Sequence, residues 1–300
     1  MTPAELVSRL TRRSRSNFYF AFLTLPRPRR DALYAVYAFC RTVDDIADLG
    51  EERGLDRARS LDQLDHWRRE VARCYAPASS PQEPIAQRLA VAVRQFSIPR
   101  EALEAIIDGV AMDLEGVRYE TVEDLYPYCY RVASAVGLAA IEIFGYTDRR
   151  ARDYAVNLGL ALQLTNILRD VGSDAAAGRV YLPRADLRAF DVSEDDLKAG
   201  RYSPGFVALM ERQAGRAHHF YRRAWATLPP ADARSLVAAE VMGRIYFALL
   251  QEIEARRFHV FGERIAVPTR RKAAIALRCW AAARFFGQSP RLNASNEAGS

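Results

Sequence analysis

The chain has 300 residues, is half hydrophobic and 27% charged, and carries a formal net charge of +6 with an isoelectric point near 9.2. That is ordinary for a soluble globular protein and leaves room for one large domain or two small ones. Its four cysteines, Cys40, Cys74, Cys129 and Cys279, form no CxxC pair and no Cys/His metal spacing, so neither a disulfide framework nor a structural zinc site is expected. Of the 43 Lys and Arg residues, only Lys198 and Lys272 are lysines. Most arginines alternate with acids and read as solvated helix faces, so clusters such as 27-RPRR-30 do not imply a nucleic-acid partner.

Helical periodicity runs through nearly the whole chain: from about Arg29 to Asp48, then over residues 57–75, 83–96, 100–115, 121–144, 148–174, 205–227, 232–257 and 268–286. Pro28, Pro99, Pro268 and the pairs Thr147-Asp148 and Pro229-Pro230 stand where helices are expected to begin. No series of strands is predicted. Residues 175–204, with Gly178, Pro183, Gly200 and Pro204, form the main irregular connection. The expectation is therefore an all-α fold with one domain over residues 1–287 and a disordered polar tail over 288–300.

The opening MTPAELVSRLTRRSRS lacks the apolar centre of a secretion signal. No stretch reaches the roughly 18 uncharged apolar residues of a membrane span. The nearest, 132-VASAVGLAAI-141, stops at Glu142. A cytoplasmic protein is expected. The last predicted helix, 273-AAIALRCWAAARFFG-287, is apolar with interspersed arginines. It is expected either to pack inside the bundle, the favoured alternative, or to rest peripherally on the inner face of a membrane.

Two helices are unusual. In 37-YAFCRTVDDIAD-48, residues Tyr37, Arg41, Asp44 and Asp48 share one stripe at helical spacing, while Asp45 points about 100° away. In 163-QLTNILRDVGSD-174, Gln163, Asn166, Asp170 and Asp174 make a second stripe. One such stripe is commonly a solvated face. Here, however, the surrounding residues are apolar and leave little else polar to put outside. Two buried carboxylate stripes are unstable without cations, and hard divalent ions take oxygen ligands. The pattern reads as Mg²⁺ shared with a phosphorylated substrate. A di-iron bundle would need Glu-x-x-His, and none of His66, His218, His219 or His259 has a Glu three residues before it. No GxxxxGK[ST] or GxGxxG nucleotide loop occurs.

The ordered set 18-FYFAF-22 with 25-LP-26, 37-YAFCRTVDDIAD-48, 109-GVAMDL-114, 128-YCYRVASAVG-137, 159-GLALQLTNILRDVGSD-174 and 178-GRVYLP-183 resembles the squalene and phytoene synthase family over about residues 14–286. These are the head-to-head prenyl diphosphate synthases. The resemblance implies a single-domain isoprenoid synthase helical bundle with a central cavity. In it, two acidic helices hold diphosphate through three magnesium ions. It implies metal binding by Asp44, Asp48, Asn166, Asp170 and Asp174. It implies that Tyr37, Arg41, Gln163, Arg169, Arg179 and Tyr246 bind diphosphate or control its departure. Tyr128, Val132, Val136 and Gly137 match the helix that borders the prenyl chains, and Asn17 with Phe18 and Phe22 matches a substrate-contacting segment. Asn17 stands where many relatives carry Ser, and it can still donate a hydrogen bond to a phosphate oxygen.

For the apolar lining, Phe18, Phe22, Phe39, Tyr128 and Phe144 are candidates, with the small residues Ala133, Ala135, Gly137, Ala139 and Ala140 leaving room for chains. Ordinary core packing explains each of them as well. By resemblance the chain is closest in character to bacterial presqualene diphosphate synthases of hopanoid pathways, with farnesyl diphosphate as the favoured substrate. Phytoene synthase acting on geranylgeranyl diphosphate is the alternative. The absence of a dinucleotide fingerprint favours a product made without NADPH. A non-catalytic isoprenoid carrier is the competing class, although a carrier needs no paired metal stripes.

Overall fold

The computed structural model describes residues 25–48, 56–77 and 79–285. Asn17, Phe18, Phe22 and the tail over 288–300 lie outside the described residues. The described chain is all helix and connection, with no strand among the described residues. Helix α1 spans Arg27–Asp48, α2 Arg57–Tyr75, α3 Pro84–Phe96, α4 Arg100–Glu115 and α5 Val122–Cys129. A π-helical turn, Tyr130–Ser134, leads into α6, Ala135–Phe144. Then follow α7, Arg150–Ala176, the short α8, Arg184–Ala189, and α9, Glu194–Lys198. The chain continues through α10, Pro204–Thr227, a 3₁₀ turn at Pro230–Asp232, α11, Val237–Ala255, and α12, Thr269–Phe285.

The boundaries follow local chemistry. The Asp56 carboxylate accepts the Arg59 N–H at 2.8 Å and caps α2, Pro84 opens α3, and Thr121 with Asp124 forms a reciprocal capping box on α5. The turn that leads into α7 is anchored from far away: the Asp232 carboxylate accepts the backbone N–H groups of Thr147 at 2.8 Å and Asp148 at 3.0 Å. The helix expected to begin at residue 232 begins instead at Val237; Asp232 stands in a 3₁₀ turn, with its carboxylate taken up by Thr147 and Asp148.

Helix α7 is the hub. Its 27 residues, about 40 Å at 1.5 Å per residue, pack against α5, α6, the π turn, α9, α10 and α11. Helix α1 packs on α2, α3, α4 and α6. Helices α4 and α6 and the π turn connect these two sets, and the space left between α1 and α7 is a cavity.

The segment 121–144, expected as one uninterrupted helix, contains the π turn. Pro127 removes one backbone donor ahead of it. The widened turn then lies against two glycines on neighbouring helices. A Cβ at Gly109 would stand 2.6 Å from the Val132 side chain, and a Cβ at Gly159 would stand 2.5 Å from the Ser134 Cα and 2.6 Å from its backbone N. The Ser134 hydroxyl fixes this approach by donating to the Val156 carbonyl at 2.8 Å. Turning the chain here aims Val132 and Ala133 into the cavity.

In an ordinary helix interior, Gly→Ala gains up to about 1 kcal/mol. At Gly159 the facing atoms are backbone and cannot rotate away, so overpacking should win. Urea denaturation of Gly159→Ala is expected to show a net loss of about 1–3 kcal/mol. A variant as stable as the parent would refute the close approach.

Candidate active site

The cavity has a volume of about 660 Å³. Helices α1 and α7 enter it with apolar residues, Leu33 and Val36 on one and Ala155 and Leu158 on the other, and leave it with acids. One end is therefore polar and the remaining walls are largely hydrocarbon. Fifteen residues singled out from the sequence line it: Tyr37, Arg41, Asp44, Asp48, Tyr128, Val132, Val136, Gly137, Gln163, Asn166, Arg169, Asp170, Asp174, Arg179 and Tyr246. The stripes read at helical spacing thus face each other across one space.

Among the wall candidates, Ala133, Gly137, Ala140 and Phe144 line the cavity. Ala135 and Ala139 are buried in helix packing, and Phe39 is buried edge-to-face against Trp67 at 5.7 Å, so these three belong to the core. Sequence reasoning missed Asp113, Tyr181, Arg264 and Lys272, all of which line the polar end.

Asp113 is the acid between the two stripes. It accepts hydroxyl hydrogen bonds from Tyr128 at 3.1 Å and Tyr181 at 2.8 Å, and the two phenol rings stack with centroids 5.0 Å apart. Burial pushes its carboxyl up to about 6, against the lowering effect of the Tyr181 hydrogen bond. Its charge is felt by Asp44 on α1 and by Asp174 on α7. The quoted stretch 109-GVAMDL-114 held the signal for this residue, but α4 carries only one acid on its cavity face, so no repeating stripe marked it.

The carboxylates divide into compensated and uncompensated groups. Asp170 is clasped by the guanidinium groups of Arg169 and Arg264, the latter at 3.2 Å. Although burial opposes its charge, these partners hold its carboxyl below the usual range. Asp48 accepts from Arg179 at 2.7 Å, and the same guanidinium donates to the Ala47 carbonyl at 2.9 Å. The Arg179 backbone N–H donates to the Asp174 carbonyl at 2.7 Å, so this one residue ties the end of α7 to the end of α1.

Asp44 and Asp174 have no hydrogen bond or ion pair to a cation among the described residues. Burial, with the neighbouring Asp48 charge, pushes Asp44 up to about 7; burial, with Asp170, does the same to Asp174. Asp45, off the stripe, pairs with Arg41 at 2.6 Å and so orients a guanidinium at the rim. Lys272 is held below the usual lysine range by burial and by the nearby Arg169 charge.

The donor set fits a hard divalent cation. It consists of carboxylate oxygens and the Asn166 amide, whose Oδ1 is buried with no hydrogen-bond partner while its Nδ2 donates to Gln163 at 3.3 Å. An orphaned buried carbonyl beside uncompensated carboxylates is the arrangement a bound cation relieves. Among the described residues no three His, Cys, Asp or Glu side chains converge as a ready-made cage. Any ion held here would complete its shell with water or with oxygens of a bound substrate.

Comparison with known proteins agrees with this geometry. Residues 11–271 match the sequence profile of squalene/phytoene synthase. The chain is 35% identical over 284 residues to a phytoene synthase of Arthrospira platensis, covering 89% of each chain. It is 37% identical over 244 residues to a presqualene diphosphate synthase of Rhodopseudomonas palustris, covering 81% of this chain and 85% of that one. Among solved structures, a dehydrosqualene synthase with bound ligand superposes with a TM-score of 0.81 at 29% identity, over 94% of this chain and 96% of the other. A squalene synthase of Alicyclobacillus acidocaldarius gives 0.74 at 32% identity, over 85% and 94%. An all-α bundle, two acidic helices facing across a largely apolar cavity, and a family match spanning most of the sequence lead to one assignment: the chain belongs to the squalene/phytoene synthase family, the head-to-head prenyl diphosphate synthases.

Proposed function

We propose that this protein condenses two farnesyl diphosphates head to head into presqualene diphosphate, using Mg²⁺ and no NADPH. The observation that carries this reading is the polarity of the cavity, with facing carboxylates at one end and hydrocarbon along the rest. Asp44, Asp48, Asn166, Asp170 and Asp174 would hold magnesium ions, and Asp113 lies close enough to act on both sets. Bound Mg²⁺ supplies charge neutralisation for a departing diphosphate.

The chain's own residues supply the rest. Arg169, Arg179, Arg264 and Lys272 bring cationic donors to the same end as the carboxylates, where diphosphate oxygens would sit. Arg264, with a largely exposed side chain, can exchange Asp170 for such an oxygen. Tyr37 and Tyr246 line the same cavity, where their hydroxyls would stand beside the leaving group. Farther in, Val132, Val136, Leu158, Leu162 and Phe144 exclude water, so that an allylic cation meets a double bond before a nucleophilic oxygen. Phytoene formation from geranylgeranyl diphosphate is the second reading, favoured by the 35% identity to a phytoene synthase over 89% of this chain.

The purified protein with Mg²⁺ is to be given farnesyl or geranylgeranyl diphosphate separately, with and without NADPH, and the products identified by mass spectrometry. Presqualene diphosphate from the C15 substrate alone is the expected result. Squalene appearing only with NADPH would extend the reaction by a reductive step. Phytoene from the C20 substrate alone would make the second reading correct, and no product from either would point to a carrier.

Replacing Asp44 or Asp170 with Asn should lower kcat by at least about 10²-fold through loss of charge stabilisation. Asp44→Asn has a second expected outcome, in stability without metal. The folded protein holds the Asp44 proton up to about pH 7, above the ordinary 3.8, so this stabilising proton is fully present below 3.8 and lost as pH rises through about 7. With a chelator present, Asp44→Asn should therefore be more stable than the parent by about 1–3 kcal/mol at pH 8, with the gain vanishing toward pH 4. Equal melting curves at pH 8 would show that Asp44 is not crowded.

A further inference from the structure

Among the described residues, helix α12 leaves part of its apolar surface unused. Cys279 and Ala283 are buried, and the helix packs against α11. Its opposite face carries Leu277, Trp280 and Phe285, with relative exposures of 66%, 44% and 69%. These are three of the six large apolar side chains exposed among the described residues. Trp280 and Phe285 meet edge-to-face at 6.5 Å. At helical spacing, Arg270, Leu277 and Arg284 fall on nearly one line with Trp280 beside it, and Arg278 lies about 100° around.

The charge on this helix is of one sign. It has four arginines and Lys272 but no acid. Arg271 is paired with Glu252, whereas Arg270, Arg278 and Arg284 make no ion pair among the described residues. A face that mixes Leu, Trp and Phe with unpaired arginines complements an anionic lipid interface, where rings sink to the acyl boundary and guanidinium groups meet headgroup phosphates.

Its place in the fold gives that surface a use. The Arg271–Glu252 pair at one end and the Arg234 Nε–H donated to the Ala283 carbonyl at 3.0 Å at the other set α12 antiparallel to α11. Lys272, in the first turn, lines the polar end of the cavity. The exposed Trp280 and Phe285 therefore lie toward the segment of α11 where Ala238, Ala239 and Met242 form the apolar wall.

We infer that the outer face of α12 docks this protein onto an anionic bilayer, placing the apolar end of the cavity at the membrane. The docking surface stands on the helix alone; its role in delivering an oily product rests on the proposed function. Lipid binding without substrate therefore separates the two.

The full chain is to be sedimented with phosphatidylcholine vesicles with and without phosphatidylglycerol, at low and high salt. Binding is expected only to the anionic vesicles, weakened by salt, with a blue shift of Trp fluorescence that Trp280→Phe removes. Leu277→Ser/Trp280→Ser/Phe285→Ser should reduce partitioning by about tenfold or more. The fully surface pair Arg278→Glu/Arg284→Glu should do the same by charge reversal. That pair keeps the test valid if the triple variant folds poorly, and unchanged circular dichroism and melting confirm its fold. No binding to either vesicle would overturn the inference. So would binding that neither variant weakens, or a concentration-dependent dimer broken by the triple substitution.

Discussion

The structure turns on an electrostatic imbalance: five aspartates line one end of a cavity cut into an apolar bundle, and the described residues answer only part of their charge. Asp170 and Asp48 have guanidinium partners, while Asp44 and Asp174 are left crowded by burial and by each other's neighbours. A protein under selection for stability alone would replace such groups with hydrocarbon of similar volume. Keeping them makes sense where cations and a polyanion arrive together. The fold tolerates the imbalance because Arg179 pins the acidic ends of α1 and α7, joining the Asp48 carboxylate and the Ala47 and Asp174 carbonyls through one side chain and its own backbone.

The apolar part of the cavity has a different origin. Helix packing would normally close the space between α1 and α7. It is held open because α6 and the π turn stand between them, and because small residues, Ala133, Gly137 and Ala140, occupy the positions that face inward. The close contacts are displaced to the far sides of the same segment, where Gly109 and Gly159 let neighbouring helices approach the π turn. Close packing outside and vacancy inside are thus two consequences of one local widening of the helix.

The helices and both acidic stripes were legible in the sequence because they repeat: apolar residues at three- and four-residue intervals, and Tyr37, Arg41, Asp44 and Asp48 at one angular position. What escaped had no period. Asp113 is a single acid on α4 and draws its meaning from two tyrosines distant in sequence. Arg264 and Lys272 come from the connection after α11 and the first turn of α12, and only tertiary packing brings them to Asp170 and Arg169. The π turn escaped because the glycines that make room for it, Gly109 and Gly159, stand on other helices. Phe39 looked like a wall residue by type but is core by position.

The connection between α11 and α12 shows how the polar end is completed. Arg257 and Phe258 adopt left-handed φ values of 50° and 59°, turning the chain sharply back over the cavity. Such conformations in non-glycine residues are held only by their surroundings. Here the Tyr202 hydroxyl donates to the Arg257 carbonyl at 2.7 Å and the Phe258 N–H to the Ile253 carbonyl at 2.9 Å; farther on, the Phe261 ring packs on Phe206 with centroids 4.8 Å apart and fills the space that a Cβ at Gly172 would enter at 2.8 Å. Gly172 lies between Asp170 and Asp174, so the helix that presents two carboxylates inward also leaves a notch that seats the strap bearing Arg264. The strap then covers Asp170 but leaves Asp174 and the Asn166 carbonyl oxygen unanswered. Among the described residues the strap thus completes the cation shell of one carboxylate of the second stripe and leaves the oxygen donors beside it open to the cavity.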